Sequence, residues 1–109
     1  MTLQTQLVLR ALLEDPAQER YGLELCELAG LPSGTIYPIL ARLEQVGWVD
    51  STWEDPAVHE EAGRPRRRFY QITKEGAEQA RNALARAYRA RKQRLPGWAV
   101  GPAGDGGVS

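Results

Sequence analysis

Residues 33–49 read SGTIYPILARLEQVGWV. On a helical wheel Ile36, Ile39, Leu40, Leu43 and Val46 fall within one sector of about 120°, the apolar stripe of a helix that packs on a core. Ser33 is a suitable N-cap, since its hydroxyl can accept from the amides of the first turn. Gly47 stops the helix, which gives bounds of 33–46. Pro38 falls in the first turns, where it removes one early hydrogen bond and bends the helix start. The face opposite the stripe carries Gly34, Pro38, Ala41 and Gln45, with Tyr37 and Arg42 on its flanks. Small residues there permit close approach by another molecule.

Upstream, residues 3–14 predict a helix whose apolar positions spread around most of the wheel. Such a helix must be covered on more than one side, and in a chain of 109 residues that suggests cover from a second subunit. "EDPAQER" breaks it. "YGLELCELAG" predicts a short second helix with Leu23, Cys26 and Leu28 inward, ended by Gly30 and joined to the third helix by a tight turn. Downstream, "WVDSTWE" is β-like, with Val49, Ser51 and Trp53 on one face. "DPAVHEEAGRP" reads as an acidic loop rich in breakers. "RRRFYQIT" returns as a second strand, with Tyr70 and Ile72 on one face and Phe69 on the other, so the two strands form a hairpin with a long tip. Thr73 then N-caps a long helix. Its narrow stripe is Ala77, Ala80, Leu84, Ala87, Tyr88 and Leu95, interrupted by Arg91. A stripe this rich in alanine buries little area, and at ~25 cal/mol per Å2 it packs weakly alone. A large reciprocal interface with a second copy is therefore expected, to which Leu3 and Leu7 also belong.

The chain has 14 basic and 14 acidic residues, but they are not mixed evenly. Residues 1–63 hold three basic residues against 11 acidic, a balance of −8; residues 64–94 hold 11 basic against two acidic, a balance of +9. "GRPRRR", residues 63–68, begins the basic half. An asymmetry of this kind points to a polyanionic partner. Hydrophobic residues at 42% argue against global disorder, and no apolar run approaches the ~20 residues that span a bilayer. The N-terminus lacks the basic start of a signal peptide, and the single Cys26 excludes an internal disulfide. A soluble, cytoplasmic protein is expected, without a membrane role.

Helix, helix, tight turn, helix and a basic hairpin form the order of a winged helix-turn-helix. The match extends to motifs, and the chain resembles the PadR family of bacterial transcriptional regulators, in its short C-terminal branch. The family's recognition helix begins Gly-Thr-hydrophobic-Tyr-Pro and ends Leu-x-x-x-Gly, matched by Gly34, Thr35, Ile36, Tyr37 and Pro38, then Leu43 and Gly47. Its wing reads Gly-Arg-Pro-basic, then aromatic-x-hydrophobic-Thr-x-x-Gly, matched by Gly63, Arg64, Pro65 and Arg66, then Tyr70, Ile72, Thr73 and Gly76. The resemblance implies a mainly α fold with a small β-hairpin, a DNA-binding domain over residues 1–72 and a dimerisation helix over 73–95. Residues 96–109 are expected to form a disordered tail. It further implies a homodimeric repressor on double-stranded DNA, and an aromatic effector near the dimer interface beside Leu84, Tyr88 or Trp98.

The expected DNA contacts are Ser33, Gly34, Thr35, Tyr37, Pro38 and Arg42 on the helix and Arg64, Arg66, Arg67 and Arg68 on the wing. Helix N-terminal residues reach base edges in the major groove, while arginines supply the salt-dependent affinity. Because Asp55, Glu60 and Glu61 would repel phosphate, the contacts are placed at the wing root. Plainer roles stand beside these: Tyr37 as a packing aromatic, Arg42 paired with a carboxylate, and Arg81, Arg86, Arg89, Lys92 and Arg94 as a solvated face. Cys26 reads as a core thiol, and His59 stands alone, so no metal or cofactor is expected. The alternative function is a winged helix that binds proteins. An enzyme is the weakest reading, because no nucleophile, base and orienting group stand together.

Overall fold

The computed structural model describes residues 1–94; Leu95, Trp98 and the C-terminal tail lie outside them. Eight elements follow in order: α1 Leu3–Leu13, β1 Arg20–Tyr21, α2 Gly22–Ala29, α3 Ser33–Gln45, β2 Val49–Trp53, α4 Pro56–Ala62, β3 Arg68–Ile72 and α5 Lys74–Arg94. The three strands form an antiparallel sheet in the order β1-β3-β2. This is a mainly α winged helix with a long final helix, as the sequence implied.

The core joins Val8, Leu9 and Leu12 of α1, Leu25 of α2 and the α3 stripe of Ile36, Ile39, Leu40 and Leu43 to Val49, Tyr70 and Ile72 of the sheet. Several positions differ from expectation. The N-cap of α3 is one residue earlier than expected: extended Pro32 holds that place, and its carbonyl accepts from the Thr35 and Ile36 amides. Ser33 therefore caps nothing and stays exposed. Val46 is 65% exposed rather than inward, because its backbone has already left the helix at φ −90°, ψ 4°. In α2 the buried residues are Gly22, Leu25 and Ala29; Leu23 and Leu28 face solvent and Cys26 is half-buried. Burial pushes the Cys26 thiol pKa up, which makes it a poor nucleophile.

The expected acidic loop contains a helix. Asp55 Oδ1 accepts from the Ala57 amide, Pro56 occupies the first position, and Gly63 ends α4 at φ 65°. None of the α4 residues is buried. Strand β1 is also additional, pairing Arg20 with Tyr70 and Tyr21 with Phe69.

Helix α5 starts on a dense node. Thr73 Oγ1 accepts from the Gly76 amide as an N-cap and donates to the carbonyls of Gly47 and Trp48 at 3.0 and 3.2 Å. The Thr73 amide donates to the Trp48 carbonyl at 2.9 Å. Gly76 lies against the Trp48 backbone, where a Cβ would come within 2.7 Å of its Cα and carbonyl carbon. This approach accounts for a Thr-x-x-Gly sequence at the start of the helix. It also brings Ala77 and Ala80 into the core of the same chain, with Leu84 packed against it. Those two alanines were expected to face a second copy; their own chain already covers them.

Candidate nucleic-acid interface

The outer face of α3 presents Ser33, Gly34, Pro38, Ala41 and Arg42 to solvent, with Thr35 half-buried. A Cβ at Gly34 would meet nothing within 4 Å, so the start of the helix is open to close approach. Tyr37 is 40% exposed and lies across the start of α2. A Cβ at Gly22 would stand 2.6 Å from its Cε1 and Cζ atoms, so glycine is what lets the ring rest there.

Tyr37 and the wing share a cleft of about 580 Å3. Its walls include Tyr21, Gly22 and Leu23, together with Trp53, Tyr70 and all of residues 64–68. The structure thus gathers Tyr37 with Arg64, Arg66, Arg67 and Arg68, whereas Ser33, Gly34, Thr35, Pro38 and Arg42 lie outside the cleft lining.

The four arginines are not equivalent. Arg64 grips Glu54 with both terminal nitrogens, at 2.6 and 2.7 Å. Glu54 is only 7% exposed. The same residue accepts from the Arg67 amide, donates its own amide to the Arg67 carbonyl at 2.8 Å, and offers its carbonyl to Arg66 Nε at 2.6 Å. The Arg64 guanidinium, aided by the Arg67 amide, lowers the Glu54 pKa to about 2; the carboxylate in turn raises that of Arg64. Glu54 is a residue that sequence reasoning missed, though an acid at the end of a strand opposite a basic run was a usable signal. Arg68 Nη2 bonds Ser51 Oγ at 2.7 Å and both Glu44 oxygens at 3.3 Å, which ties the wing to the end of α3. Arg66 and Arg67 have no carboxylate partner among the described residues.

Those two guanidinium groups rest on rings. Arg67 lies 4.2 Å over the centroid of Tyr21, and Arg66 5.6 Å over that of Trp53, which also holds Arg68 at 5.2 Å. Among the described residues no three His, Cys, Asp or Glu side chains stand together as a metal site, and no helix is long and apolar enough to cross a membrane.

A helix-turn-helix whose second helix stands open beside a basic wing defines a winged-helix DNA-binding fold. A family model described as "Transcriptional regulator PadR-like family" matches residues 8–82, and the chain belongs to that family of transcriptional regulators. Among solved structures, a PadR family regulator from Eggerthella lenta is 26% identical with a TM-score of 0.62, over 81% of this chain and 77% of that one. The PcaV regulator from Streptomyces coelicolor, in complex with its natural ligand, is 26% identical with a TM-score of 0.62, over 89% of this chain and 64% of that one. The fold is also that of BpsR from Bordetella bronchiseptica, whose DNA binding is regulated by 6-hydroxynicotinic acid, at 15% identity and a TM-score of 0.67, over 89% of this chain and 63% of that one. A search of curated proteins gave no match.

Proposed function

We propose that the chain is a homodimeric, sequence-specific repressor acting in the cytoplasm. The start of α3 enters the major groove and the wing root lies on the phosphate backbone. The observation that carries this reading is the pair of guanidinium groups without carboxylate partners, Arg66 and Arg67, in one cleft with Tyr37 beside the open end of α3. Ser33 and Gly34, free of capping duty or neighbours, and Thr35, Pro38 and Arg42 complete the helix contacts. Arg68 contributes through its tie to Glu44. Arg64 serves to build the wing, since both its terminal nitrogens are held by Glu54 and its charge is matched there.

The second copy packs on what the chain leaves uncovered. Leu3 and Tyr88 are 57% and 55% exposed, Leu7 and Ala87 are half-buried, and Leu84 borders them; Leu95 falls outside the described residues. Ligand-bound PcaV and ligand-regulated BpsR support an aromatic effector for this chain too, beside Leu84 and Tyr88.

Selection of bound duplexes from a random pool tests the reading, followed by titration across salt concentrations. A dimer that neutralises about six phosphates through Arg42, Arg66 and Arg67 gives a slope of log K against log salt near −5, and the double variant R66A R67A reduces its magnitude by about 3.6. The other reading, a winged helix that binds proteins, predicts no enriched duplex and no effect of that double variant.

A further inference from the structure

We infer that Tyr21 and Trp53 are positioning residues of the DNA interface, holding Arg67 and Arg66 in a binding-ready arrangement through their ring faces. The inference rests on the proposed DNA-binding function and adds two residues to it. Trp53 is 53% exposed although it stands on the β2 face that begins with buried Val49. Burial therefore does not explain an indole at this position. Its immediate surroundings do: Arg66 and Arg68 lie 5.6 and 5.2 Å from its ring centroid, and Arg68 is its cross-strand partner in the sheet. On β1, Tyr21 carries Arg67 at 4.2 Å and meets Phe69 edge-on, with centroids 6.3 Å apart. The two-residue β1 thus brings a ring to an arginine of β3's approach.

A ring and a carboxylate hold an arginine in different ways. A carboxylate consumes the in-plane N–H donors and cancels the charge, as Glu54 does to Arg64. A ring takes only the flat face of the guanidinium and leaves both the donors and the charge available for phosphate. It also fixes part of a long side chain before DNA arrives, so less conformational freedom is lost on binding. Arg66 is restrained further by its Nε bond to the Glu54 carbonyl, which leaves its terminal nitrogens as the donors for phosphate.

The test is a set of double-mutant cycles on the full chain, with binding of a selected duplex read by fluorescence anisotropy across salt concentrations. Y21A and W53A should each weaken binding by roughly three- to tenfold and leave the salt slope unchanged, because no charge is lost. Y21F and W53F, which keep a ring, should stay within about twofold of the unaltered chain. R66A and R67A should each reduce the slope by about 1.8 for a dimer. The ring losses should largely vanish when the arginines that each ring carries are absent, in Y21A R67A and in W53A R66A R68A, since Trp53 carries both Arg66 and Arg68. Equal ring losses with and without the arginine overturn the inference, since the ring would then act on the DNA or the fold directly. So does unchanged binding by Y21A and W53A while R66A and R67A weaken it, a result that leaves the DNA-binding function standing. Absence of salt-dependent binding by the unaltered chain overturns both.

Discussion

Replacing Gly76 with alanine should destabilise the chain, although Gly76 lies inside α5, where alanine is ordinarily favoured by about 1 kcal/mol. The added methyl would sit 2.7 Å from two backbone atoms of Trp48 and closer still to its carbonyl oxygen, whereas ordinary contacts begin at 3.4 Å. Helix and strand must part by at least about 0.7 Å, the shortfall from ordinary van der Waals separation. That gap opens where the Thr73 amide and hydroxyl bind the Gly47 and Trp48 carbonyls. Losing one or two of those bonds costs about 1 kcal/mol each, and overpacking adds about 1–3 kcal/mol. Set against the helix gain, the net loss is about 2 kcal/mol, which lowers Tm by roughly 10 °C in a domain of this size. Thermal unfolding followed by circular dichroism at fixed protomer concentration measures it, since the Tm of a chain that dimerises as proposed would depend on concentration. The matched control is G34A in α3, where a Cβ meets nothing and stability should hold or rise. A G76A chain as stable as the unaltered one would refute the reasoning.

G22A drives a methyl into the Tyr37 ring, 2.6 Å from Cε1 and Cζ; a side chain can swing away, so Tm should change little while duplex affinity falls. Anisotropy and circular dichroism on the same sample separate the two effects. G34A should weaken DNA binding without loss of stability, because its methyl stands where the proposed docking brings the groove closest, and the same pair of measurements checks it. E54Q should remove a pH dependence. A carboxylate whose pKa is lower in the folded chain stabilises it above the unfolded value and loses that contribution as pH falls through the folded one. Glu54 lies at about 2 against an ordinary 4.5, so its contribution is whole at neutral pH and lost between about pH 4.5 and 2. Urea midpoints measured across that window should lose part of their slope in E54Q.

The third helix and the strands after it were legible because their information is local. Four of five stripe positions in α3 are buried, and Tyr70 and Ile72 share the inner face. Val46 failed at the one place where periodicity outlasts the helix itself. Helix α4 carried its own signals, an Asp-Pro start and a Gly end, yet a polar seven-residue helix without a buried face leaves no apolar stripe, so those residues read as breakers. Strand β1 is two residues long and exists only because β3 is there to pair with it. The same holds for the interface. A run of arginines is plain in the sequence, but which are neutralised depends on Glu44 and Glu54, residues 24 and 10 positions away from Arg68 and Arg64. Ala77 and Ala80 present the same limit: an alanine stripe announces close packing and says nothing of which chain supplies the partner.

The Glu54–Arg64 clasp closes the wing below α4, so the sheet is complete before the tip begins. Residues 55–63 are then a detachable extension: none of α4 is buried, and shortening a surface segment changes closure entropy only slowly with length. A change in the length or charge of that tip therefore leaves in place the base that carries Arg66 and Arg67, because none of the residues it alters is part of the core.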